Sequence, residues 1–244
     1  MPPITGRMIQ NFPLPREMFL SNFGTEIIYS FIIIVCSLMI YFGTKELYEL
    51  SSHKGIKYFR QAFLFFALAY FFRSFIKLIV FYFNAQGILS ISPRLFNPLI
   101  SQITLIFFLY FSAMAVLYLL YSVMWKKWNG KDKKIYLLHL LAFAVSLFVV
   151  LSRDALAYLG VNILLFFIVL FVVYTSYKNK KKKTKTHKHN LYIIYLLLSF
   201  FWILNIIDIL IPSFFQNFQM FVYLSSSTIF FIMVYKVLKK AGSS

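Results

Sequence analysis

The stretch "YFFRSFIKLIVFYF" (residues 70–83) places two cations, Arg73 and Lys77, inside a run otherwise made of Phe, Tyr, Ile, Leu, Val and one serine. If this run crosses a bilayer, each charge costs about 2.5–3.5 kcal/mol on insertion scales unless it faces a protected interior or reaches the headgroups. Composition settles the environment. The chain is 61% hydrophobic, 21% aromatic and only 13% charged, with a mean hydropathy of +0.76. A soluble domain of 244 residues is far more polar, so this is an integral membrane protein. The lone cysteine, Cys36, lies in an apolar stretch and is assigned a packing role.

Apolar segments long enough to cross the hydrocarbon core, which takes about 20 helical residues, number seven. They fall near 26–42, 58–83, 99–123, 135–151, 155–174, 191–211 and 214–237. The fourth and fifth are separated only by Arg153 and Asp154, but the apolar stretch around that pair is too long for one crossing. Pro212 divides the last two, since proline is a helix boundary and Asp208, Ser213, Gln216 and Asn217 flank it. The expected fold is therefore all-α, a polytopic bundle of seven transmembrane helices. Residues 1–25 form an extracellular segment, 26–240 the membrane domain and 241–244 a tail. The first 19 residues, "MPPITGRMIQNFPLPREMF", contain prolines and no apolar core, so no signal peptide is expected.

Basic residues orient the bundle. The first loop carries Lys45, Lys54, Lys57 and Arg60, the third Lys126, Lys127, Lys131, Lys133 and Lys134, and the fifth is "KNKKKKTKTHK" (178–188). Lys236, Lys239 and Lys240 lie at the same side, whereas the opposite side has Arg7, Arg16, Arg94 and Arg153. The positive-inside rule then puts the N-terminus outside and the C-terminus in the cytoplasm of a multi-pass cell-membrane protein. The same distribution explains the net charge of +18 without nucleic acid: the lysines sit beside helix ends, where they meet anionic lipid. The fifth loop is also a candidate docking site for a cytoplasmic protein partner.

At helical spacing Tyr70, Arg73, Ser74 and Lys77 share one face of the second span. Polar side chains at matching depth on other spans are Asn205 and Asp208 in "WILNIIDIL" (202–210), Gln102 with Asn97 and Ser101, Asn162, Gln219, Tyr223, Glu26 and Tyr29. The outer half is thus polar and the cytoplasmic half mostly Leu, Ile, Phe and Val. That distribution predicts an outward-facing cavity for a small polar or anionic ligand, lined by Arg73, Lys77, Gln102, Asn205, Asp208, Gln219 and Tyr223, with Asp208 as the counter-charge. The plainer alternative is an Arg73–Asp208 structural pair among interhelical hydrogen bonds worth about 0.6–2 kcal/mol each.

Catalytic chemistry finds no support. The chain has no G-x-S-x-G, H-E-x-x-H or Gly-rich phosphate loop, and of its seven acidic residues only Asp208 is expected within a span. No metal cluster at ligand spacing emerges from the four histidines, His139 is expected as a satisfied interior residue, and no cofactor is expected. "SSST" (225–228) reads as small-residue helix packing.

A retinal-binding bundle would need a lysine midway along the seventh span, where "LSSSTIFF" (224–231) stands. A G-protein-coupled receptor would show an acid-arginine-aromatic motif where this chain has "YSVMWKKW" (121–128). The stretch "LYELSSHKGIKYFRQAFLFFALAYFFR" (47–73) resembles the N-terminal seven-helix membrane region of prokaryotic sensor histidine kinases. That resemblance implies a ligand-sensing bundle that signals to a cytoplasmic module; with no kinase domain before Ser244, a stand-alone sensor is expected. An internal repeat gives the alternative. "YFSAMAVLYLLYSVMWKK" (110–127) aligns without gaps to "YLSSSTIFFIMVYKVLKK" (223–240), as a parallel three-plus-one-plus-three transporter of the sugar-efflux kind would require.

Overall fold

The computed structural model describes residues 16–85, 93–128, 133–152, 154–182, 191–210 and 216–241. Its elements, in chain order, are α1 (Arg16–Gly43), α2 (Lys45–Ser51), α3 (Lys54–Ala85), α4 (Pro93–Met124), α5 (Lys133–Ser152), α6 (Ala155–Lys182), α7 (Tyr192–Leu210) and α8 (Gln216–Ala241). All but α2 are long and apolar enough to cross a membrane, which agrees with the seven expected spans. The helices overrun the expected boundaries at α1, α3, α4 and α6, because backbone hydrogen bonding continues into the polar flanks after the apolar run ends. The Pro212 turn and the seven-lysine loop from residue 183 onward lie outside the described residues.

The short α2 was not foreseen. It is separated from α1 by Thr44, whose Oγ1 donates to the Ile40 carbonyl at 2.7 Å and whose N–H bonds the same carbonyl at 3.1 Å. Ser52 ends α2 in the left-handed region, φ 47°, with its N–H on the Tyr48 carbonyl at 2.8 Å. His53 then starts α3: its Nδ1 accepts the Gly55 N–H at 3.2 Å, satisfying one orphan donor of the new helix. Gly55 is required by space. A Cβ there would stand 2.9 Å from the Ser122 carbonyl oxygen on α4, so the close approach of α3 to α4 needs a residue without one.

Six helices close a ring. Each of the consecutive pairs α1 and α3, α3 and α4, α4 and α6, α6 and α7, α7 and α8, and α8 and α1 is in contact, while α5 lies outside the ring against α4 and α6. Inside it the core is aromatic. Phe201 meets Phe230 edge-on at 4.7 Å between centroids, Phe66 approaches Phe201, Trp202 and Phe230, and Tyr58 packs against Tyr121 at 4.4 Å. Such edge-to-face contacts hold helices together where both the bundle interior and the surrounding lipid are apolar, so that dispersion and ring geometry, not water exclusion, decide the packing. The outward faces of α5 and α6 show Leu140, Phe148, Leu156 and Phe167 exposed, in keeping with contact to lipid tails.

The two ends of the bundle differ. At the end holding α2 and the C-terminus of α4, aromatic and basic side chains pair: Arg60 lies over the Tyr41 ring at 4.8 Å and donates from Nε to the Tyr41 carbonyl at 3.0 Å. Lys126 lies 5.6 Å over Trp125, and Lys134 the same distance over Trp128. Amphipathic rings and snorkelling cations of this kind belong at a membrane interface. The opposite end, where α1 and α8 begin and α3 and α7 finish, carries the polar groups described next.

Candidate functional site

Arg73 stands on α3 nineteen residues after its start, about 28 Å along the helix. The guanidinium turns into the bundle. Its Nε donates to Glu26 Oε1 on α1 at 2.9 Å, and its Nη2 donates to the same oxygen. The Phe108 ring of α4 covers the group at 5.3 Å, a cation–π contact. The two side chains are only 19% and 13% exposed, so the pair is largely withdrawn from solvent. The expected counter-charge was Asp208. The ion pair found is with Glu26, the residue that had been placed at the lip of the first span; α1 in fact begins ten residues earlier, at Arg16, which puts Glu26 on a regular helical turn facing α3.

A second polar chain begins one turn below. Tyr70 donates its hydroxyl to Asn205 Oδ1 at 3.1 Å, and the Tyr29 hydroxyl lies 3.2 Å from that of Tyr70. Tyr29 also stacks on Tyr223 of α8, with centroids 4.5 Å apart and planes at 9°. Gln219 Nε2 donates to the Tyr223 hydroxyl at 2.9 Å and to Asp208 Oδ1 at 3.2 Å. Side chains from α1, α3, α7 and α8 are therefore linked through one another. Each is a long or aromatic residue that a helix can project across to its neighbour, and each hydrogen bond satisfies a group that lipid could not.

Beside this network lies a recess whose lining is polar at Tyr70, Arg73, Ser112, Asn162, Asn205 and Asp208 and otherwise mostly aromatic, with Phe108, Tyr158 and Trp202 among its walls. The recess has a cavity volume of about 30 Å³. On the order of two waters have room here, so anything bigger must part the helices. Trp202 forms one wall and is fixed by its Nε1–H, which donates to the Asn162 backbone carbonyl at 3.0 Å.

Of the residues expected to bind ligand, Arg73, Asn205 and Asp208 line the recess, and Gln219 and Tyr223 join it through hydrogen bonds. Gln102, half-buried on α4, is not among the lining residues; α4 presents Phe108 and Ser112 to the recess, two to three turns further along the helix. The side chain of Lys77 lies outside the described residues. Tyr158 and Trp202 escaped attention, because in a sequence so rich in aromatics neither could be told from a lipid-facing residue. His139 lies apart from the site: its Nδ1 is 2.7 Å from the Tyr110 hydroxyl and its Nε2 3.3 Å from that of Tyr118, so both nitrogens are satisfied between α4 and α5. Among the described residues no group of three His, Cys, Asp or Glu could hold a metal ion.

Comparison with known proteins adds a relative of unstated function. An uncharacterized protein of Archaeoglobus fulgidus is 28% identical over 228 residues, covering 93% of this chain and 96% of the relative. No family model matches the chain. No solved structure matches it.

Removing one member of a desolvated ion pair strands the other. Arg73→Met is expected to lower stability by about 3 kcal/mol, and Glu26→Met/Arg73→Met by clearly less than the sum of the single changes. Thermal unfolding in detergent of the two single variants and the double variant checks this; additive losses would show that the two groups do not interact.

Proposed function

We propose that this chain is a receptor-like or sensory seven-helix protein of the cell membrane that binds a small polar or anionic ligand from outside, with Arg73, Asn205, Asp208, Gln219 and Tyr223 at the binding site. The observation that carries the reading is the gathering of ionised and hydrogen-bonding groups from α1, α3, α6, α7 and α8 around one recess, at the end of the bundle opposite the lysine-rich loops. Ionisable groups inside a membrane protein are expensive and are retained where they face a pathway or a ligand. The positive-inside rule makes that end the outer one. The recess is closed to all but a few atoms, as suits a sensor whose ligand must shift helices to enter: differential binding to an opened state is what converts occupancy into a signal. Lys77 follows Arg73 by one turn along α3 and would add to the positive charge of the site. The basic loops would carry the signal to a cytoplasmic protein partner, in line with the resemblance of residues 47–73 to sensor histidine kinase membrane regions.

Transport is the second reading, and a specific observation favours it. Exchanging α1, α3 and α4 for α6, α7 and α8 maps the ring of helix contacts onto itself, with α5 as the odd helix outside. The recess lies between α3 and α4 of one half and α6 and α7 of the other, where parallel-repeat transporters hold their substrates. Counterflow in proteoliposomes would support transport; a ligand that binds without flux supports sensing.

Two measurements test the main reading. Green fluorescent protein fused at the C-terminus should fluoresce and alkaline phosphatase fused there should stay inactive; the reverse pattern contradicts the orientation. The chain has three tryptophans, so Trp125→Phe/Trp128→Phe leaves Trp202 as the only reporter. A panel of small anions, zwitterions and polyols should contain compounds that both raise the melting temperature and change Trp202 emission, with affinity reduced about tenfold or more by Asn205→Leu. A stabilising compound that leaves Trp202 unchanged would place its site elsewhere.

A further inference from the structure

The Glu26 carboxylate sits on Arg73 as a ligand would. We propose that the ligand is recognised through an oxyanion, a carboxylate or a phosphate, that takes over on Arg73 the place Glu26 holds in this closed structure. The inference rests on the reading of the recess as a binding site and names the chemistry of what enters it.

Three observations support it. First, the pairing is incomplete: Nε and Nη2 of Arg73 both converge on a single oxygen, Oε1, and not on the two oxygens of a carboxylate in parallel. The two-oxygen fork is the stronger geometry for a guanidinium, and it remains open to an incoming oxyanion. Second, Nη1 has no hydrogen-bond acceptor among the described residues, although Arg73 lines the recess. Phe108 covers one face of the group and Glu26 occupies one edge, and Arg73 itself lines the recess. Third, a further donor stands there: the buried Ser112 of α4 lines the same recess, and its hydroxyl can donate to an oxyanion.

Asp208 lines the same space and would repel an added anion. Exchange avoids that obstacle. When one carboxylate leaves Arg73 and another arrives, the charge beside the guanidinium is unchanged, and Glu26, on α1, is carried away from α3. The exchange also opens the recess, which as it stands is too small for an organic acid. Since α1 contacts both α3 and α8, its release loosens the ring at the two contacts that flank the Tyr29–Tyr223 stack. Ligand chemistry and conformational change are thereby the same event.

The test uses the full chain in detergent, with acetate as the soluble probe, short-chain phosphatidate as the lipid-borne one, and chloride at equal ionic strength as reference. Melting temperature is followed against probe concentration for the unmodified protein, Glu26→Gln and Arg73→Gln. Removing the internal competitor should tighten the response of Glu26→Gln about tenfold or more, because the binding-competent state no longer has to be won from a closed one. Arg73→Gln should not respond. A response to acetate assigns a soluble ligand and a response to phosphatidate alone a lipid headgroup; either supports the oxyanion. Equal responses of Glu26→Gln and unmodified protein overturn it, as does acetamide acting as well as acetate. If Arg73→Gln does not fold, the Glu26→Gln comparison decides alone. Neutral or cationic compounds that change Trp202 emission while neither anion binds would defeat this inference and leave the binding site standing; if no compound acts at Trp202, both fail.

Discussion

A guanidinium placed within a membrane-spanning helix must find an acceptor, and the architecture of one end of this bundle follows from where Arg73 finds it. Its acceptor is on α1, so the first and second spans are tied together at the end where α1 begins and α3 finishes by a charged contact that lipid cannot replace. Phe108 of α4 covers the guanidinium, and Tyr29, three residues after Glu26 on the same helix, hydrogen-bonds Tyr70 of α3 and stacks on Tyr223 of α8. An ion pair of this kind is weak evidence for stability, because desolvating both charges offsets most of their attraction. Its contribution is specificity of another sort: it fixes which faces of α1 and α3 meet.

The opposite half, where α3 begins, is held differently. There the interior is filled by rings, and α3 approaches α4 closely at Gly55. The half that contains Arg73 has hydrogen-bonded side chains bridging a small recess, and such contacts can be exchanged for others of the same chemistry. The proposed function uses that difference: ring packing at one end, exchangeable polar contacts at the other. The bundle can also pass a tilt of α1 toward the α2 turn, where Arg60 clasps the Tyr41 carbonyl.

The seven spans were legible because apolar length is a one-dimensional property that survives folding. Asn205, Asp208 and Arg73, matched in the sequence by depth, all line one recess, since helices crossing a slab share a common axis. What depth does not give is rotation and stagger. Glu26 was read as the edge of a span when it lies ten residues inside α1, and the partner of Arg73 was assigned to the wrong helix for that reason. Gln102 illustrates the same limit: α4 starts at Pro93, and the helix turns Phe108 and Ser112 to the recess. Tyrosines were the hardest to judge. Tyr29, Tyr70 and Tyr223 are buried with hydroxyls engaged, whereas Tyr136 and Tyr174 are exposed on the outside, and nothing in composition separates the two groups.

The inward turn of Arg73 can be measured directly by magic-angle-spinning NMR on protein reconstituted in phospholipid, with ¹⁵N in arginine side chains and ¹³C in glutamate carboxyls. An Arg–Glu dipolar contact that disappears in Arg73→Lys is the predicted result. Contact of the Arg73 side-chain nitrogens with lipid ³¹P, and none with a glutamate carboxyl, would mean that the guanidinium reaches for headgroups and that the recess has lost its organising charge.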